Sequence, residues 1–130
     1  TCLGTWVPEM NFTQAFQIHR ELGQSADGGF LSGGALVAIH WTHRVCALIV
    51  SVILGALSLL LLRRAEWRTW GLLLAAGLCL QAGLGIANVL LLLPLHLAVA
   101  HNSGAAALLT LTLALTFRLW QASSRAEAHQ

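Results

Sequence analysis

Ala35-Leu36-Val37-Ala38-Ile39-His40-Trp41-Thr42-His43-Arg44-Val45 opens an apolar run that continues to Leu62. An α-helix needs ~20 residues to cross the hydrocarbon core of a bilayer, so residues 35–62 read as a membrane span. His40, His43 and Arg44 interrupt it. An ionisable side chain within a span costs roughly 3 kcal/mol on insertion scales and commonly marks a function. Two further apolar runs, residues 70–93 and 95–119, are separated only by a tight turn at Pro94. Another imidazole, His101, lies in the last of them.

Composition supports this reading. Of 130 residues, 57% are hydrophobic and 9% charged, whereas a soluble domain carries about 25% charged residues. The fold class is all-α integral membrane, with three transmembrane helices. The domain organisation expected is a loop segment at 1–34, a helical bundle at 35–120 and a polar tail at 121–130. All seven basic residues are arginines, and the net charge of +2 is too small for nucleic-acid binding. The chain opens without methionine in polar, loop-like sequence, so residue 1 is expected not to be a natural N-terminus. Residues 1–30 lack the continuous apolar core of a signal peptide. Of the three cysteines, Cys46 and Cys79 lie in apolar runs and read as small packing residues. No Cys-x-x-Cys pair or zinc pattern occurs.

In the N-terminal segment, Phe12, Ala15, Phe16, His19 and Leu22 recur at helical spacing. This predicts a short amphipathic helix at 11–22 on the membrane surface, with Asn11 as N-cap, Gly23 as stop and Trp6 nearby. Asp27-Gly28-Gly29 and Ser32-Gly33-Gly34 read as turns. Arg63, Arg64, Arg68, Arg118 and Arg125 share one side of the bundle, while the other side has only Arg20 against Glu9, Glu21 and Asp27. The positive-inside rule makes the arginine-rich side cytoplasmic. The N-terminal loop and the Pro94 turn are then outside, the tail is cytoplasmic, and Trp67, Trp70 and Trp120 suit the inner interfacial belt.

At ~1.5 Å rise per residue, His43 lies about 30 Å from Arg63, Asn88 about 30 Å from Arg68, and His101 about 26 Å from Arg118. His43 and His101 therefore fall within about one turn of each other near the outer boundary, and tilt blurs this by several ångströms. Two histidines at matched depth on separate helices suit axial ligation of a haem iron. Hydrogen-bonded packing and a proton or metal path are the competing readings. His40 shares a face with His43, so it stays open as the ligand. Gly83, Gly85 and Gly104 would let helices approach a flat macrocycle, although small residues also serve ordinary helix packing. Arg44 requires a counter-ion at this depth, for which a haem propionate is suited. Asn88, or carboxylates elsewhere in the protein, are alternatives. Gln81 reads as an interhelical hydrogen-bonding residue. His96, at the turn, and His19 and His129, in polar sequence, read as solvent-facing.

Several separate segments resemble one family. They are Cys2-Leu3-Gly4-Thr5-Trp6-Val7-Pro8-Glu9-Met10-Asn11-Phe12, Ala38-Ile39-His40-Trp41-Thr42-His43-Arg44, Gln81-Ala82-Gly83-Leu84-Gly85-Ile86-Ala87-Asn88-Val89, Leu93-Pro94-Leu95 and Ala98-Val99-Ala100-His101-Asn102. In order and spacing they are similar to the C-terminal half of bacterial haem A synthase, the haem O oxidase family. The resemblance implies eight spanning helices in two four-helix halves, of which the three spans here would be the sixth, seventh and eighth. It implies that His43 and His101 ligate a bound b-type haem, with His40, Arg44 and Asn88 as candidate surroundings. Haem O would bind in the other half, outside this sequence, where a methyl group is oxidised to the formyl group of haem A.

By the same resemblance, Cys2 is a disulfide candidate whose partner would precede residue 1. Haem O synthase and cytochrome oxidase assembly are possible associations, and the bacterial inner membrane is the expected location. One departure concerns chemistry. The family's first half carries a glutamate three residues before its ligand histidine, and that place here is His40, so no catalytic acid is assigned in this chain. The alternative function is a bis-histidine b-type cytochrome subunit that only transfers electrons.

Overall fold

A computed structural model describes residues 8–17, 24 and 28–127. They form α1 (Phe12–Ala15), α2 (Gly33–Leu62), a single 3₁₀ turn (Ala65–Trp67), α3 (Arg68–Leu90) and α4 (Leu95–Glu127). Two compact units divide the chain, residues 1–50 and 51–130, and α2 runs through both.

In the first unit, Asn11 caps α1 as the sequence suggests, its side chain accepting from Gln14 N at 3.0 Å. The helix is much shorter than expected. Phe16 leaves helical geometry at φ −115°, ψ 27°, so α1 is one turn, and residues 18–23, with the expected stop at Gly23, lie outside the described residues. That turn packs on the start of α2. Ala15 is buried with Ala35 and Ala38 of α2, flanked by Met10, Leu31 and Ile39. The Phe12 ring stacks on Phe16 at 6.3 Å and meets Trp41 edge-on at 6.5 Å.

The two glycines at 33 and 34 begin α2 and do not form a turn. Ser32 precedes them as a cap, its hydroxyl accepting from Ala35 N at 3.2 Å and donating to Gln14 Oε1. Gly34 O accepts from Asn11 N at 3.1 Å, which ties α1 to the start of α2. Of the turn read at 27–29, Asp27 lies outside the described residues, while Gly28 adopts φ +77° and a bridge joins Gln24 to Phe30.

In the second unit, residues from Ser51 onward in α2 pack with α3 and α4. Leu61, Leu74, Leu108 and Leu115 form the buried core, closed at the arginine-bearing end by Trp67 and Trp70. The α2–α3 contact there is tight. Buried Ser58 donates its hydroxyl proton to Gly71 O at 2.8 Å. A Cβ at Gly71 would stand 3.0 Å from Leu62 N and Ser58 O.

α3 stops at Leu90, ahead of the expected Leu93. Leu92 and Leu93 both adopt φ 59°, Leu93 N donates to Asn88 O at 2.8 Å, and Pro94 disfavours the αR region for the residue before it. Pro94 O then accepts from Leu97 N and Ala98 N, starting α4. α4 continues past the expected end at 119 to Glu127. No glycine or proline follows Gly104 to break it, and the Ser123 and Ser124 hydroxyls fold back onto Trp120 O.

Three helical segments, Gly33–Leu62, Ala65–Leu90 and Leu95–Arg125, are long and apolar enough to cross a membrane. Large apolar side chains cover their outer faces, Leu48, Leu59, Leu80 and Leu113 among them, each more than 60% exposed. An apolar surface this continuous suits lipid and not water.

Candidate functional site

His101 lies in the second turn of α4, half-buried against α3. Gly85 of α3 makes the room for its ring. A Cβ there would stand 3.1 Å from Cε1, 3.6 Å from Nδ1 and 3.9 Å from Nε2. One turn away, the Gln81 amide nitrogen donates to His101 O at 3.0 Å and lies 3.4 Å from His101 Nε2. Gln81 Oε1 points at Gly104, where a Cβ would come within 2.5 Å of it. That oxygen is buried and has no hydrogen-bond partner among the described residues. Two of the three glycines read as candidates thus have defined tasks, whereas a Cβ at Gly83 would meet nothing within 4 Å.

Asn88 is buried where α3 turns into α4, its Nδ2 donating to Leu97 O at 3.3 Å. Its Oδ1 has no partner among the described residues. The side chain thus braces the hairpin, with one buried acceptor left over.

His40, His43 and Arg44 belong to the first unit and are exposed. At 100° per residue they turn away from the side of α2 that carries Ala35, Ala38 and Thr42, which is buried or half-buried. The imidazoles of His40 and His43 are thus presented outward, three residues apart. His96 is exposed, as read, while Cys2, His19 and His129 lie outside the described residues.

Gln81 is the residue of this site whose partner the sequence did not reveal. A signal was present, since Gln81, Gly85 and Asn88 recur at i, i+4 and i+7 and so share the face that meets α4. Beside Gln81 a cleft of about 130 Å³ is lined by Gly77, Leu80, Gly104, Ala107, Leu108 and Leu111. Small-molecule sites run to about 300–1,000 Å³, so this is a packing groove and not a cofactor pocket. Among the described residues no group of three or more His, Cys, Asp or Glu side chains could hold a metal ion. A haem iron needs only two imidazoles from separate helices. Each unit presents imidazoles of the kind that a haem iron takes: His101 on α4, its ring close against Gly85, and His40 and His43, exposed on α2.

No solved structure matches the chain. Among curated proteins it is 37% identical over 123 residues to the heme A synthase of Shewanella oneidensis. The alignment covers 95% of this chain and 37% of that protein, so the chain spans little more than a third of the relative's length. The model of the COX15-CtaA family, described as cytochrome oxidase assembly protein, matches residues 1–113, which include α1 to α3, His43 and His101. The chain belongs to the COX15-CtaA family of cytochrome oxidase assembly proteins.

Proposed function

We propose that this chain is the C-terminal, b-haem-carrying half of a haem A synthase. In this reading His43 and His101 are the axial ligands, Arg44 is the counter-ion of a propionate, and His40 and Asn88 belong to the surroundings. The observation that carries it is the seat of His101 against Gly85, which lies within the matched family region and which a side chain at residue 85 would crowd. The bound haem would supply reversible one-electron chemistry. Held by two imidazoles, those of His43 and His101, it would favour electron transfer over oxygen binding.

The chain's own residues do the holding. Gly85 admits the His101 ring, Gln81 ties the backbone of that turn to α3, and Asn88 sets the α3–α4 hairpin so that His101 stays at its depth. The substrate, haem O, would bind in the part of the protein outside this sequence, where its methyl group is oxidised to a formyl group for cytochrome oxidase. Haem O synthase is the expected supplier. The arginine-bearing end faces the cytoplasm of a bacterial inner membrane, and the Pro94 turn faces out.

The test uses the full-length protein. His43→Ala and His101→Ala should each lose the b-type spectrum, and a bis-histidine spectrum unchanged in both would overturn the ligand assignment. His40→Ala, made in parallel, should retain it. Haems extracted from cells that also make haem O should include haem A. Haem O alone would favour a cytochrome that only transfers electrons.

A further inference from the structure

We propose that Gln81 is a positioning residue for His101, holding ring nitrogen Nε2 unprotonated in the empty protein and yielding it when iron arrives. This rests on the reading of His101 as an axial ligand. The chemistry of the amide decides its orientation. His101 O lies 3.0 Å from the Gln81 nitrogen. Exchanging the amide's oxygen and nitrogen would set two acceptors against each other at that distance, so the NH₂ group faces His101. An amide NH₂ carries two protons and cannot accept. One proton goes to His101 O, and the other is directed at Nε2, 3.4 Å away. That contact is a hydrogen bond only if Nε2 is bare, and the ring proton is then on Nδ1. This is the tautomer that an imidazole needs before it binds iron through Nε2.

A second observation separates this role from ordinary packing. The orientation leaves Gln81 Oε1 buried and without a partner among the described residues, against the space that Gly104 leaves open. A buried unsatisfied acceptor is destabilising, and such groups in native folds call for an explanation. A residue serving only to join α3 and α4 would gain more from an arrangement that used both ends of the amide. Here the acceptor is sacrificed so that both protons serve one histidine. In the loaded protein iron would take the Nε2 lone pair in place of the Gln81 proton, and the amide would move aside to make room.

The experiment uses the full-length protein, haem-free and labelled with ¹⁵N-histidine, with His101→Gln as the assignment control. Wild type should show His101 as a single neutral tautomer protonated at Nδ1. Gln81→Met, similar in volume but lacking both protons, should show a mixture. Because the Nε2 bond exists only in the empty state and competes with iron, titration with hemin should show about fivefold tighter binding in Gln81→Met. A protonated Nε2 in wild type overturns the proposal, and this result needs no variant to fold. An unchanged tautomer in Gln81→Met overturns it too, as does unchanged or weaker hemin binding. Hemin binding that survives His101→Ala would instead sink the axial-ligand reading and leave the tautomer result standing.

Discussion

Replacing Gly85 with alanine adds one methyl group to α3 beside the His101 ring. That methyl carbon would stand 3.1 Å from Cε1, against an optimal carbon–carbon separation of about 3.5–4.0 Å. The ring or the helix must therefore give by at least a few tenths of an ångström, and overpacking of this kind costs about 1–3 kcal/mol. Against it stands the higher helix propensity of alanine, worth about 1 kcal/mol. Gly83→Ala, on the same helix, gains the propensity term and meets nothing within 4 Å. The two variants should thus differ by about 1–3 kcal/mol, with Gly83→Ala equal to or above wild type and Gly85→Ala at or below it. Thermal unfolding of the full-length protein in detergent should place their apparent Tm values several degrees apart. Haem content per chain, by pyridine haemochrome, should fall only in Gly85→Ala. Equal melting and equal haem content in the two variants would refute the argument that residue 85 makes room for the imidazole.

Three further outcomes are expected. Gly71→Ala sets a methyl group 3.0 Å from two backbone atoms that cannot rotate away, so it should destabilise by about 2–3 kcal/mol in thermal melts. Leu92→Gly removes a left-handed leucine that is 89% exposed. The conformational gain of about 1–2 kcal/mol exceeds the extra unfolded-state entropy of glycine, about 0.5–1 kcal/mol, so the apparent Tm should rise. In full-length protein with every native cysteine replaced, Cys2, Cys46 and Cys79 included, a membrane-impermeant maleimide added to intact spheroplasts should label Leu92→Cys and spare Ala122→Cys. The reverse pattern would invert the proposed orientation.

The three spans were legible because hydropathy over ~20 residues is a bulk property that tolerates local error. Their ends were less so. Residues 91–93 are as apolar as the helix before them, and only the conformation imposed around Pro94 removes them from α3. Gly33 and Gly34 carry a turn signal, but Ser32 caps them into α2. In α1 the cap was legible and the length was not, because apolar spacing does not show where the chain leaves helical geometry, as it does at Phe16. At the site, Gln81 read as an interhelical hydrogen-bonding residue, as its bond to His101 O shows it to be, and depth counting set His101 near the expected outer boundary. It could not give rotation about the helix axis, which packing decides, and so the contact of Gln81 with His101 was out of reach.

The short connection between α3 and α4 also bears on how this polypeptide enters a bilayer. Gln81 and Asn88 would be costly for a lone α3 in hydrocarbon, with their amide protons unmet. Both find carbonyls on α4, at His101 and Leu97. With only Leu91 to Pro94 between the helices, the chain cannot deliver one far ahead of the other. The two helices should leave the insertion machinery as a preassembled pair, so that pairing precedes partitioning into lipid.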